Sequence, residues 1–136
     1  MDYLTLTFDP AIRPDGLHSL NSEYVETFWL PVLGPGAICL LRRFGRLHEP
    51  IASQGARPQT TIPVGDLAHM VGLKGQLTQN SKLGKVIDRL VWYRFIERTG
   101  DRALTISPYM PTLRPKQIDT KLPLSLQALH LVYTAA

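Results

Sequence analysis

A single cysteine, Cys39, stands among the 136 residues. It excludes an intramolecular disulfide and a cysteine-built zinc cluster, and it fits a reducing compartment. Long hydrophobic runs are missing as well. The uncharged stretch between Glu26 and Arg42 holds 15 residues and is broken by Pro31, Gly34, Pro35 and Gly36, so it is too short to span a bilayer. Asp2 stands where a secretory leader would carry a basic residue, which speaks against export. His18, His48, His69 and His130 never fall one helical turn apart, so no helical histidine metal site is expected. Gly34-Pro35-Gly36 lacks the Lys-Ser/Thr of a phosphate-binding loop, and no Gly-x-Ser-x-Gly elbow is present. The eleven carboxylates are dispersed. No cofactor, small-molecule ligand or catalytic group is implied, and the expectation is a soluble, cytoplasmic, non-enzymatic chain of one-domain length.

What is present is unevenly placed. Residues 1–50 carry four Lys/Arg against six Asp/Glu, and residues 51–136 carry eleven against five. A chain of net charge +4 thus divides into an acidic part of −2 and a basic part of +6. The basic part raises the expectation of a polyanionic partner.

Local patterns place the elements. Tyr3 to Phe8 alternates with Leu4 and Leu6 on one face, as a strand does. Asn21 or Ser22 is placed to cap a helix from Glu23, which Pro31 interrupts. Pro35 opens a second helix, in which Cys39 reads as a core residue beside Ala37, Ile38, Leu40, Leu41 and Phe44. A short strand at Thr60–Ile62 and a short helix ending at Gly72 precede a polar turn, Lys74–Asn80. A longer helix over Ser81–Arg94 turns Leu83, Val86, Ile87 and Leu90 inward. Two strand patterns then flank Gly100-Asp101-Arg102, a tight hairpin turn. From Pro108 a basic tail kept extended by Pro111 and Pro115 leads to an apolar helix opened by Leu122-Pro123.

Strand, short helix, turn, longer helix, hairpin is the order of the winged helix-turn-helix. The segment Ile62-Pro63-Val64-Gly65-Asp66-Leu67-Ala68 with Val71-Gly72-Leu73 resembles that family's first helix and turn. Leu83-Gly84-Lys85-Val86-Ile87-Asp88-Arg89-Leu90 resembles its recognition helix, and Arg94-Phe95-Ile96-Glu97-Arg98 the element that leads into the wing. The resemblance covers about residues 60–107. It departs in a longer turn and in Arg94, which stands where a glycine is common. Upstream, Trp29-Leu30-Pro31-Val32-Leu33-Gly34 with Ala37 and Leu40-Leu41 is similar to the opening helix of winged-helix domains in bacterial replication-initiation and helicase-loading proteins, and of small phage or plasmid regulators.

The resemblance implies an α+β fold: an N-terminal strand extension over 1–20, a winged helix-turn-helix over 21–107, and a basic linker with an apolar helix over 108–136. It implies double-stranded DNA as partner, for transcription regulation or replication. A major groove about 12 Å wide admits one helix with donors outward. Ser81, Lys82, Lys85 and Arg89 lie on that outward face, with Arg89 able to address guanine and the lysines suited to phosphate. Gln79 and Asn80 in the turn, Arg98 and Arg102 at the hairpin, and Arg114 and Lys116 in the tail complete the expected DNA contacts. The competing expectation is a protein-interaction module. In it the apolar helix, with Leu124, Leu126, Leu129, Val132 and Tyr133, pairs with its copy in a homodimer or docks on a larger complex.

Overall fold

The computed structural model describes residues 3–72 and 81–135. The alternation of Leu4, Leu6 and Phe8 with threonines builds strand β1 (Tyr3–Phe8), and those three side chains are fully buried. β1 pairs antiparallel with β3 (Gln59–Pro63), setting Leu4 opposite Ile62, and parallel with β5 (Ala103–Ile106), setting Leu6 opposite Leu104. β4 (Ile96–Gly100) adds antiparallel to β5, so the strand order is β3-β1-β5-β4. The expected N-terminal strand is therefore built into the middle of the sheet. The expected hairpin turns at Asp101-Arg102, with an irregularity between Arg98 and Gly100.

Helices cover the apolar side of this sheet, giving a mixed α+β structure. Ser22 Oγ accepts the Val25 N–H at 3.4 Å at the start of the first helical segment. Val25–Trp29 forms a π-helical turn that passes directly into α1 (Leu30–Leu33). Pro31 lies inside α1 rather than ending the segment. It lacks the N–H that would reach the carbonyl four residues back, and the wider turn just before it takes up the mismatch. Gly34, with φ 90°, then redirects the chain into α2 (Pro35–His48). α2 buries Ala37, Ile38, Leu40, Leu41 and Phe44. Cys39, expected in the core, is half-buried because position 39 falls on the outer side of that stripe, with Arg42, Arg43 and Arg46.

α3 (Val64–Met70) buries Leu67 and Ala68 and is followed by Gly72 at φ 72°. α4 (Lys82–Trp92) is capped by Ser81, whose Oγ accepts the Gly84 N–H at 2.9 Å. It buries Leu83, Ile87 and Leu90, each contributing about 1.5–3 kcal/mol of apolar burial. α2 and α4 meet at Gly36, where an added Cβ would lie 3.3 Å from Val86 Cγ2.

The tail differs from the extended linker expected over 108–121. Tyr109–Met110 forms β6, antiparallel to β2 (His18–Ser19). Pro115 begins α5 (Pro115–Lys121), because proline at a first helical position gives up only an N–H that has no intrahelical partner. The Arg114 N–H donates to Gln117 Oε1 at 2.9 Å and closes that end. The apolar helix follows as α6 (Leu124–Ala135).

α6 is fastened through an aromatic cluster. The Tyr24 hydroxyl accepts the Leu113 N–H at 2.9 Å and lies 2.8 Å from His130 Nε2. His18 stacks on Tyr24 with centroids 3.7 Å apart, and its Nε2 lies 2.9 Å from Thr112 Oγ1. Burial lowers the pKa of His130. Burial, and then repulsion from His130, lowers that of His18. Burial lowers that of His48 against the opposing pull of Glu49. All three imidazoles are thus held neutral more firmly in the folded chain than in the unfolded one. Above an unfolded pKa of about 6.5 neither state binds the proton and the folded state bears no penalty. Below it, the unfolded chain takes up protons that the folded chain refuses, so stability falls with pH. Thermal melts at constant ionic strength should show a lower Tm at pH 5.5 than at pH 7.5, with a smaller difference in His130→Gln. A flat profile over that range would contradict the assignment.

Candidate nucleic-acid interface

The outward face of α4 follows from its inward one. With Leu83, Ile87 and Leu90 buried, Lys82, Lys85, Asp88, Arg89 and Trp92 are exposed. At 3.6 residues per turn Lys82, Lys85, Arg89 and Trp92 fall within about 80° of one another, along roughly 15 Å of helix. This stripe is cationic at one end and aromatic at the other.

Its members differ in how far they are committed within the protein. Arg89 Nη2 donates to the Val32 carbonyl at 3.0 Å. Val32 lies in the last turn of α1, where carbonyls lack intrahelical partners, so Arg89 caps α1 as well as facing outward. Arg98, expected at an adjacent minor groove or at the backbone of a duplex, forms an ion pair from β4 with Asp88. That pair cancels the only carboxylate on the outward face of α4. Arg102 is exposed at the hairpin turn, and its carbonyl accepts the Thr5 N–H at 2.8 Å. Gln79 and Asn80 lie outside the described residues. Ser81 is engaged as the helix cap.

Arg114 and Lys116 are not beside Lys82. They line a cleft of about 830 Å³ at the far end of the stripe, with Trp92, Tyr93, Arg94 and Lys121. Its floor is a chain of rings. Trp29 Nε1 donates to the Pro111 carbonyl at 2.9 Å, and its ring meets Phe95 edge-on at 5.2 Å. Tyr93 stacks over Phe95 at 5.9 Å, and Trp92 meets Tyr93 edge-on at 4.9 Å. Arg13 buttresses the floor: its guanidinium sits 5.1 Å from the Phe95 centroid and donates to the Tyr93 carbonyl at 3.2 Å. It also binds both carboxylate oxygens of Asp15, at 2.9 and 2.7 Å. Those bonds hold the Asp15 carboxyl below its usual pKa. Among the described residues Asp15 is the only acid on the cleft wall and Arg13 pairs with it, leaving Arg94, Arg114, Lys116 and Lys121 as the charge balance. Among the described residues no group of His, Cys, Asp and Glu is placed to hold a metal ion.

Arg94, Trp92, Lys121 and Arg13 are absent from the sequence-based contact set. One signal was available: Arg94 occupies a position where glycine is common. It has φ 64°, the only left-handed non-glycine residue among those described. The rest of the cleft is assembled from segments far apart in sequence.

The apolar helix divides its expected contact residues. Leu126 is half-buried against the core, and Tyr133 touches the Tyr24 and Phe28 rings with centroids 5.6 Å away in each case. Leu124, Leu129 and Val132 face solvent, and so does Leu131, which the sequence reading passed over.

Comparisons with protein-family models, with curated proteins and with solved structures return no match. No helix among the described residues is long and apolar enough to cross a membrane.

The left-handed backbone of Arg94 costs about 1–2 kcal/mol relative to ordinary geometry. Glycine removes that cost but loses about 0.5–1 kcal/mol to the greater freedom of the unfolded chain. Arg94→Gly should therefore hold or raise stability by up to about 1 kcal/mol in urea unfolding. A clear loss would mean that the side chain contributes more to folding than its backbone costs.

Proposed function

We propose that the protein binds double-stranded DNA as a winged helix-turn-helix module, serving as a small bacterial or mobile-element transcription regulator or replication-associated factor. The observation that carries this reading is the outward face of α4. It offers Lys82 and Lys85 with Arg89 behind them, and its single acid is neutralised by an arginine from the hairpin. The order α2, β3, α3, α4, β4, β5 supports the winged-helix assignment, to which β1 adds a strand between β3 and β5. In this mechanism α4 enters the major groove, and Lys82 and Lys85 neutralise phosphates. Arg102, exposed at the hairpin turn, contacts the flanking backbone in this mechanism.

Anisotropy titrations with random 30-base-pair duplex at low and physiological salt test it. Binding should weaken steeply as salt rises. The variant Lys82→Ala/Lys85→Ala should reduce the slope of log K against log salt by about two, roughly 0.9 per lost phosphate contact. No binding at low salt defeats the reading.

A second reading concerns α6, and its occupant is a second copy of the chain. Leu124, Leu131 and Val132 are 81%, 71% and 70% exposed, and the helix carries no charged residue. Among the described residues, half of the large exposed apolar side chains lie on α6, so a partner's α6 is the matching uncharged surface, and a two-fold pairing brings like against like. Light scattering at rising concentration should give a dimer that Leu131→Glu returns to monomer. A wild-type monomer at high concentration rejects the homodimer and leaves this face to a different protein.

A further inference from the structure

We propose that the cleft between the end of α4 and α5 is a binding site for a nucleotide, with the base stacked on Trp92 and the phosphate held by Arg94, Arg114, Lys116 and Lys121. The inference does not depend on how the rest of α4 is used. Four features of the cleft converge on it.

The volume, about 830 Å³, is in the range of small-ligand clefts, which run from roughly 300 to 1,000 Å³. Trp92 keeps 77% of its surface in solvent. Its ring plane stands at 81° to that of Tyr93, with centroids 4.9 Å apart, and most of the indole remains in solvent. An open indole face beside a row of cations matches a planar base with an attached anion, and stacking of a base on such a ring needs no particular base identity. The cations are in excess: the one acid on the wall, Asp15, is held by Arg13 through both oxygens. Finally, Arg94 keeps a left-handed backbone conformation on the rim of this cleft. That conformation closes the end of α4: the Arg94 N–H donates to the Val91 carbonyl at 2.9 Å and the Phe95 N–H to the Leu90 carbonyl at 3.0 Å, which fixes the point from which the Arg94 side chain leaves.

An inorganic anion alone would leave Trp92 without a role, and an uncharged aromatic would leave the four cations without one. The nucleotide can come from a free mononucleotide or from an unpaired residue of a strand. The outward stripe of α4 ends at Trp92, so a strand lying along it would reach the cleft.

Equilibrium dialysis with radiolabelled 2′-deoxyadenosine 5′-monophosphate, and in parallel with a labelled ten-residue oligodeoxyadenylate, tests the site at low salt. Saturable binding is expected, with deoxyadenosine, inorganic phosphate and phosphotyrosine each at least tenfold weaker as competitors. Mononucleotide binding would identify the free ligand as a sufficient source, and binding of the oligomer alone would identify the strand. Trp92→Ala and, separately, Lys116→Ala/Lys121→Ala should each weaken binding at least tenfold; all three side chains are exposed, and a thermal melt confirms that each variant folds. Lys82→Ala/Lys85→Ala should leave mononucleotide binding intact even where it weakens duplex binding, which separates this site from the α4 reading. The proposal is overturned if neither probe binds, if phosphotyrosine competes as well as the mononucleotide, if either cleft variant binds like the wild type, or if the Lys82/Lys85 variant abolishes mononucleotide binding.

Discussion

Strand β1 lies between β3 and β5, and without it these two strands have no shared hydrogen-bond partner. The register is fixed from both sides, with Leu4 opposite Ile62 and Leu6 opposite Leu104. A slip of one residue would turn Leu4, Leu6 and Phe8 to the other face of the sheet and bring Thr5 and Thr7 inward. The position of the hairpin relative to α3 and α4 is therefore set by six residues at the start of the chain. α4 has its own anchors: Gly36 against Val86, and Arg89 on the last turn of α1. A rigid α4 is what an interface built along one helix requires.

The Asp88–Arg98 pair matters for charge rather than for stability. Both side chains are about half exposed, and exposed pairs contribute about 0–1 kcal/mol. Its effect is to remove a carboxylate from a surface that would face phosphates. The same logic governs Arg13 and Asp15 at the cleft. Arg98 reaches Asp88 of α4 from β4, whereas Arg13 and Asp15 lie two residues apart in one loop, and in both places an arginine pairs with the acid.

Local periodicity made α2, α4 and the β4–β5 hairpin legible, because each repeats its apolar spacing over enough residues to fix a face. The glycine and proline punctuation at Gly34-Pro35 and Gly72 was legible for the same reason. α5 was not. In a Pro-rich basic stretch Pro115 predicts extended chain, yet it opens α5 as Pro35 opens α2, at a first helical position. The helix through Pro31 was hidden because a π turn leaves no mark in composition. The partners of β1 were beyond reach: they lie about 50 and 100 residues away, and alternation names a strand without naming its neighbours. The division of α6 into a half-buried and an exposed face depends on the Tyr24–His130 contact, which joins residues from opposite ends of the chain.

The cleft could not be read from the sequence because no segment contains it. Arg13 and Asp15 come from the loop after β1, Trp29 from the π turn, Trp92 to Phe95 from the exit of α4, and the remaining cations from the α5 region. What the sequence did contain was an oddity at one position: an arginine where the exit from a recognition helix usually takes glycine. The backbone there is left-handed, so the geometry that favours glycine is kept while the residue is not. A cation in that place gives up at most about 1 kcal/mol that glycine would recover. The left-handed turn is held by the Arg94 N–H to the Val91 carbonyl and the Phe95 N–H to the Leu90 carbonyl, the bonds that close a helix end, so the cap sets the backbone and the arginine adds a cation to a ring-lined cleft whose acid, Asp15, is already paired with Arg13.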